Sequence, residues 1–370
     1  MTDKIGQLFI IGIRGKILTQ DEAEFIIKNN IGGVILFDRN IESPEQIHAL
    51  VSSIQTLRHK TRDKLPFFIG VDQEGGRVAR MKAPFTQWPA IGHLGKLDST
   101  SVAFRYALSM GSELRAVGIN LDFAPCVDVL TNAANTLIGD RSLSSDPEQV
   151  AKLSSALVRG YIKSGVIPCA KHFPGHGNTI VDSHLDLPVE DVGLDRLRAV
   201  ELVPFKKAIR ARLDLLMTAH IKFPQVDPDW PVTLSTKFLK DLLRKELRYR
   251  NLVISDDLDM KALANHYNVE DIPVRAFQAG CDILLYCNNF DHPPMALEAM
   301  YKAARAHVIS AREIDESYNR VVSLKKDTLA NPDPVPFSEV AQVIGHSDHQ
   351  RLAQAILDGA VPADLLTAPA

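Results

Sequence analysis

The sequence has little cysteine and no long apolar segment. Its four cysteines, Cys126, Cys169, Cys281 and Cys287, show no CxxC spacing and lie in or beside apolar runs. That pattern indicates reduced core cysteines rather than a disulfide framework, and it fits a reducing compartment. The apolar stretch at residues 8–13 is too short for the core of a signal peptide, and no later run approaches the length of a membrane span. We therefore expect a cytoplasmic protein.

A strong charge of either sign is also missing. The 370 residues carry a net charge of −3 and no polybasic run, which argues against nucleic acid or an anionic membrane as a partner. Hydrophobic residues make up 45% of the chain, enough for a sizeable core. We expect a small-molecule substrate and no obligate protein partner.

Short apolar runs alternate with helical patterns along the chain. Their mostly continuous apolar character favours parallel strands that are covered on both faces. Helix starts lie between them, as at the capping box of Thr19 to Glu22, at Ser43-Pro44 and at Asp146-Pro147. The eight runs are residues 8–13, 33–37, 67–71, 119–123, 166–170, 213–218, 252–255 and 282–286. This alternation predicts an α/β fold, a single-domain (β/α)8 TIM barrel. The alternative is a doubly wound sheet, and it is disfavoured because no GxGxxG fingerprint follows the first apolar run of the sequence.

The composition changes near Asn331. We expect the barrel domain to occupy residues 1–330 and a short C-terminal extension to occupy residues 331–370. The extension begins with a proline-rich linker over residues 331–336. The apolar spacing that follows predicts one amphipathic helix over residues 340–357, and then a frayed, alanine- and proline-rich end.

Polar side chains follow six of the apolar runs. In a barrel of this kind, chemistry takes place at the carboxyl ends of the strands, so these residues are predicted to share one rim. They are found in the segments 72–80, 124–128, 171–184, 218–220, 255–257 and 287–289.

Two carboxylates on this rim suggest acid and nucleophile chemistry. Asp256 would stay ionised beside Lys171, Arg80 or Arg141, and an ionised carboxylate can attack or stabilise a sugar cation. A helix-capping aspartate is the structural alternative for Asp256, and for its neighbour Asp257 we prefer it. Asp182 can orient His184 two residues later for proton transfer, unless the pair only forms a local turn.

Other residues of the rim suggest sugar or metal binding. Asp72 and Arg80 fit contacts to sugar hydroxyls, or else form a surface ion pair. The pair Gly75-Gly76 is expected to serve a tight turn. Four histidines could bind zinc together with Asp256. The helical HExxH spacing of many zinc sites is absent, however, so we expect no metal. The histidines in question are His172, His176, His184 and His220. For His176 we expect a role in packing the loop.

Seven segments, in this order, resemble glycoside hydrolase family 3, and within it the single-domain β-N-acetylglucosaminidases. The block from Lys171 to Pro188, KHFPGHGNTIVDSHLDLP, together with Ser255-Asp256-Asp257-Leu258, is the most specific part. The resemblance runs from about residue 6 to residue 325. Its other segments are GGVILFDRN, GVDQEGGRVARM, FAPCVDV, GDRSL and MTAHI.

The resemblance implies roles for eight residues. Asp256 matches the family nucleophile, His184 the acid/base and Asp182 its partner. The residues that match sugar contacts are Asp72, Arg80, Arg141, Lys171 and His172.

The same resemblance implies the activity. Such enzymes are retaining and exo-acting, need no cofactor, and release N-acetylglucosamine from 1,6-anhydro-N-acetylmuramoyl peptides during cell-wall recycling in the cytoplasm. Three other functions remain open: a phosphorylase or another β-glycosidase of the family, a metal-dependent barrel hydrolase, and a non-catalytic sugar sensor.

Overall fold

All eight apolar runs form parallel strands in the computed structural model of the protein, which describes residues 2–367. In the sheet the strands are ordered β7-β6-β5-β4-β3-β2-β1-β8, and a bridge between Ile254 and Ile283 joins its two ends into a barrel. The strands are β1 (Phe9–Gly12), β2 (Gly33–Leu36), β3 (Phe68–Val71), β4 (Leu121–Asp122), β5 (Ile167–Phe173), β6 (Leu215–Thr218), β7 (Leu252–Ile254) and β8 (Leu284–Tyr286). Every strand residue is buried, so the predicted TIM barrel is confirmed.

Helices surround the barrel and occupy most of the segments between strands. They are α1 (Gln20–Asn29), α2 (Pro44–Thr56), α3 (Gly92–Leu97), α4 (Thr100–Ala116), α5 (Pro147–Ser164), α6 (Leu194–Ala199), α7 (Leu202–Arg210), α8 (Lys261–Ala264), α9 (Asp271–Ala279), α10 (His292–Arg305) and α11 (Ala311–Thr328). The helix between β6 and β7, Lys237–Glu246, has π geometry. None of the helices in the described part of the chain has the length and apolar character needed to cross a membrane.

The predicted helix starts are confirmed by their caps. The Thr19 side chain accepts the N–H of Glu22, whose carboxylate accepts from Thr19 in return. Ser43 accepts from Gln46 ahead of α2, and Asp146 accepts from Glu148 ahead of α5. These bonds satisfy backbone donors that a helix leaves free in its first turn. The four cysteines are buried and unpaired, as predicted.

Residues after α11 cover the outside of the barrel beside α3 and α4. They form α12 (Phe337–Val343), α13 (Ser347–Asp358) and α14 (Asp364–Thr367), so the prediction of one helix over residues 340–357 was wrong. The break falls at Gly345, which has a φ of +62°, and a Cβ there would lie 2.3 Å from the carbonyl oxygen of Pro84. Only glycine allows the chain to pass Pro84 this closely.

The C-terminal helices are joined to the barrel by a buried polar cluster. His349 Nδ1 lies 2.8 Å from Glu113 Oε1 on α4. The same carboxylate accepts from the N–H and hydroxyl of Thr86, which belongs to the long segment after β3. Trp88 of that segment contacts both His349 and Tyr106. The helices beyond residue 336 therefore support the segment between β3 and α4.

Candidate active site

The polar strand ends line one pocket of about 260 Å³ at the mouth of the barrel. Residues of β5 and of the segments that follow β3, β4, β5 and β7 contribute to its wall. Seven of the eight predicted site residues line it directly: Asp72, Arg80, Arg141, Lys171, His172, His184 and Asp256. The eighth, Asp182, contacts the pocket through His184. The convergence expected from the barrel topology is therefore observed.

Asp256 follows β7 and reaches the pocket wall, where its carboxylate is partly exposed. Burial by the surrounding protein would raise the pKa of Asp256. Electrostatic attraction to His220 and His172 outweighs that effect, and the N–H of Asp257 also donates to Asp256 Oδ1 over 2.8 Å. The pKa of Asp256 is consequently lowered, which keeps the carboxylate ionised as a nucleophile requires.

His184 lies on the loop after β5 and is oriented by Asp182. Asp182 Oδ1 lies 2.8 Å from His184 Nδ1 and accepts the backbone N–H of the same histidine, also at 2.8 Å. Although burial raises the pKa of Asp182, these two bonds lower it below its usual value. With Nδ1 engaged, Nε2 is the ring nitrogen left to face a ligand. His184 is 63% exposed, so solvent and substrate both have access to it.

A buried ion network forms the opposite wall of the pocket. Lys171 Nζ lies 2.6 Å from Asp72 and 2.7 Å from Glu74. Arg141 donates through Nε and Nη2 to the two oxygens of Glu74, each at 2.8 Å. Arg80 Nη2 lies 4.0 Å from Asp72 Oδ2. Four of the five predicted sugar contacts, all except His172, thus belong to one ionic network.

Glu74 is the functional residue that sequence reasoning missed. It is 2% exposed, and although burial raises its pKa, Lys171 and Arg141 outweigh that effect and hold the pKa well below its usual range. The sequence predicts only a tight turn at Gly75-Gly76, and this turn is confirmed. Gly75 and Gly76 have φ of +93° and +58°, and a Cβ on Gly75 would lie 2.1 Å from the Tyr106 hydroxyl. The signal available was a carboxylate two residues beyond Asp72 and directly before the turn.

A second buried carboxylate, Asp128, binds two histidines near the site, His172 on β5 and His176 on the loop that follows. Its Oδ2 lies 2.7 Å from His172 Nδ1, and its Oδ1 accepts the backbone N–H groups of His172 and His176. Burial raises the pKa of Asp128, but His172 and His176 bring it to about 2. His176 itself packs inside the loop against Thr179 and Ser183, in agreement with the structural role expected of it. Burial and nearby His172 lower the pKa of His176 to about 4.

The remaining rim residues hold the tip of β7 in place. His220 is buried, with Nδ1 2.7 Å from the Thr233 hydroxyl and Nε2 3.0 Å from the carbonyl oxygen of Asp257. Asp257 Oδ1 accepts the N–H groups of Asp259 and Cys287, each at 3.1 Å, so it binds the turn and the end of β8. The helix-capping role preferred for Asp257 was wrong, because α8 begins only at Lys261 and Met260 is its N-cap residue. Burial, followed by charge repulsion from Asp259, raises the pKa of Asp257 to about 7.

The zinc alternative requires metal ligands that meet at one point. Among residues 3–367 a single group of three such side chains lies within 4.8 Å: Cys126, Asp128 and His172. It excludes His176, His184, His220 and Asp256, the other members of the proposed set. Burial raises the pKa of the Cys126 thiol, which instead contacts Asp128 as a hydrogen-bond donor. Zinc binds the thiolate, so a metal at this group would have to displace the proton that the Cys126 thiol donates to Asp128.

Comparisons with known proteins show the family of the chain. The family model described as Glycosyl hydrolase family 3 N terminal domain matches residues 1–324. A β-hexosaminidase of Stenotrophomonas maltophilia (strain K279a) is 38% identical over 303 residues, covering 80% of this chain and 86% of the relative.

Two solved structures extend the comparison. A glycoside hydrolase family 3 β-N-acetylglucosaminidase from Paenibacillus sp. FPU-7 superposes with a TM-score of 0.91 at 35% identity, over 97% of this chain and 68% of the other. NagZ from Neisseria gonorrhoeae superposes with a TM-score of 0.78 at 31% identity, over 96% of this chain and 98% of the other. The chain therefore belongs to glycosyl hydrolase family 3, as a glycoside hydrolase of the β-N-acetylhexosaminidase type.

Proposed function

We propose that the chain is a retaining, exo-acting β-N-acetylglucosaminidase that works through a covalent glycosyl-enzyme. The observation that carries this proposal is one pocket lined by both the ionised Asp256 and the Asp182-oriented His184. A nucleophile and a separate proton donor are the two groups that a retaining glycosidase needs.

The pocket suits a single terminal sugar. Its volume of about 260 Å³ lies below the roughly 300–1,000 Å³ usual for larger ligands, which favours exo cleavage. Asp72 can accept from sugar hydroxyls while Lys171 and Arg141 donate, since charge-assisted hydrogen bonds orient a ligand firmly. Arg80 and His172 would complete the contacts. All five line the pocket, and the ion network holds most of them in position.

In the first step, Asp256 attacks the anomeric carbon while His184 Nε2 donates its proton to the departing oxygen. The glycosidic C–O bond breaks, and an ester to Asp256 forms with inverted configuration. In the second step, His184 takes a proton from water, which attacks the same carbon and releases Asp256. Two inversions retain the β configuration. Asp182 stabilises the positive charge that His184 carries before the first proton transfer and regains in the second.

The proposed substrates are cell-wall fragments in which N-acetylglucosamine is linked to 1,6-anhydro-N-acetylmuramoyl peptides, and the proposed setting is cytoplasmic recycling. The resemblance to the single-domain branch of the family supports this substrate. Four unpaired cysteines are compatible with a reducing compartment.

Trapping the intermediate tests the mechanism. A slow fluorinated N-acetylglucosamine analogue with a good leaving group should add one sugar to the protein, and mass spectrometry should map it to the peptide containing Asp256. The Asp256→Asn variant is the control and should remain unlabelled. A label elsewhere, or turnover with no trapped species, would remove Asp256 from the role of nucleophile. Repeating turnover with inorganic phosphate separates a hydrolase from a phosphorylase, which would yield the sugar 1-phosphate.

A further inference from the structure

The loop that carries His184 joins β5 to α6, and its two ends are bound to the barrel through Asn132, Asn135 and Lys222. Its tip, residues 180–187, has fewer contacts, and there Ile180 and Leu185 expose 84% and 64% of their surface. On its inner side Ser183 contacts His176, and its carbonyl oxygen accepts the N–H of Ala262 over 3.3 Å. A loop tip held by so few contacts can move more easily than the anchored ends of the loop.

A third contact lies on the outer side of the loop. Asp186 Oδ1 lies 2.6 Å from His266 Nε2, 80 residues further along the chain. Asp186 is two residues beyond His184, and the same oxygen accepts the N–H of Leu187. His266 therefore contacts the loop immediately after its proposed proton donor, from the segment between α8 and α9.

The segment that carries His266 is itself well anchored. Its neighbour Tyr267 stacks on Trp230, with ring centroids 5.5 Å apart and planes 26° apart. The Arg275 guanidinium lies 4.4 Å from the Trp230 ring centre, and its Nε donates to the carbonyl oxygen of Leu234. The stacking of Tyr267 and the cation–π contact of Arg275 both stabilise the position of this segment against Trp230. His266 thus joins a mobile element to a fixed one.

We infer that His266 is a positioning residue for catalysis, which holds Asp186 so that the loop keeps His184 at the pocket. This inference rests on the proposed role of His184 as the acid/base. His266 touches no reacting atom and acts only through the loop. Its part in the reaction belongs to the steps in which His184 moves a proton.

The contact has a strength suited to a loop that must also open. His266 and Asp186 are 42% and 60% exposed, and pairs with this exposure are weak. Losing the pair should therefore change the equilibrium between the loop's positions by a few-fold, and it should not abolish closure. A stronger pair would slow the release of product.

Kinetics with two kinds of substrate test the inference. We expect His266→Ala to lower kcat about three- to tenfold on N-acetylglucosaminides with poor leaving groups, which need the proton, and less than twofold on dinitrophenyl N-acetylglucosaminide. His266→Gln, whose amide can still donate to Asp186, should restore most of the loss. Asp186→Ala should behave like His266→Ala, and the double variant should lose no more than either single one. The matched control is His59→Ala, an exposed histidine before β3 at the other end of the barrel.

Equal losses on both substrates, or additive losses in the double variant, would overturn the inference. Hydrogen exchange supplies a second measurement: peptides covering residues 180–188 should exchange faster in His266→Ala, and unchanged exchange would contradict the contact's role. Failure of the proposed role of His184 is distinguishable, because His184→Ala would then lose as much kcat on the dinitrophenyl substrate as on substrates with poor leaving groups. An active wild type with unaltered His266 variants would refute only the positioning role.

Discussion

Glu74 accepts two hydrogen bonds from Arg141 and also lies 2.7 Å from Lys171 Nζ, although 67 and 97 residues separate it from these partners. One buried carboxylate thereby sets the positions of two cations that line the pocket. Asp72 completes the network from the end of β3. Under the proposed function, sugar binding therefore depends on a residue that does not itself need to touch the sugar.

Replacing Glu74 with glutamine should weaken substrate binding and the fold together. The change leaves Arg141 without a counter-charge in a buried site, which costs about 3–5 kcal/mol in comparable cases. We expect KM to rise at least tenfold and the urea midpoint to fall. Lys245→Ala, which removes a side chain 77% exposed, should stay within about 0.5 kcal/mol of wild type. Unchanged affinity for N-acetylglucosamine in Glu74→Gln would show that the network does not position the sugar contacts.

Asp256→Asn should abolish turnover and leave sugar binding in place. Asparagine keeps the shape of the side chain but cannot form the glycosyl ester, so kcat should fall on the order of 10⁴-fold or more, as for other nucleophile deletions. Steady-state kinetics and calorimetric titration with N-acetylglucosamine measure the two quantities separately. A residual kcat within tenfold of wild type would assign the nucleophile elsewhere.

His184→Ala should affect substrates according to their leaving groups. Proton donation contributes roughly 10²–10⁴-fold to such reactions, so alkyl or sugar leaving groups should lose about that much in kcat/KM. Dinitrophenol leaves without a proton, and its glycosylation step should change little. Asp182→Asn, which keeps a hydrogen-bond acceptor but no charge, should show the same pattern in weaker form. A uniform loss on all leaving groups would argue against proton donation by His184.

Asp257→Asn should change how stability depends on pH. In the folded protein the pKa of Asp257 is raised to about 7, whereas an unfolded aspartate titrates near 4. The folded state therefore holds a proton that the unfolded state has lost, and stability falls as pH rises from about 4 to about 7. Asparagine stays neutral, so the variant should gain up to a few kcal/mol over wild type between pH 5 and pH 8 in urea unfolding. A constant difference across that range would contradict the raised pKa.

Prolonged dialysis against a chelator should leave activity unchanged, because none of the proposed steps uses a metal. Activity lost on chelation and regained with Zn²⁺ would revive the metal-dependent alternative, with Cys126, Asp128 and His172 as the first ligands to mutate.

The barrel could be predicted from the sequence because its strands are continuous apolar runs that alternate with helices. Strands that are buried on both faces in this way occur in few folds other than the barrel. It predicted the rim residues because the carboxyl ends of parallel strands must meet. Glu74 escaped prediction since its importance depends on Arg141, which approaches it only in the folded chain. The break at Gly345 was missed for the same reason. Apolar spacing indicates which face of a helix is buried, but it does not indicate that Pro84 lies against Gly345 in the folded chain.

The Glu113–His349 contact has a practical consequence for anyone who shortens this gene. An enzyme cut after residue 324, where the family match ends, would keep all eight strands and every proposed catalytic group. It would also leave the Glu113 carboxylate without its imidazole partner and Trp88 uncovered, next to the segment that supplies Glu74 and Arg80. Such a minimal version should bind sugar poorly despite an intact set of reacting groups.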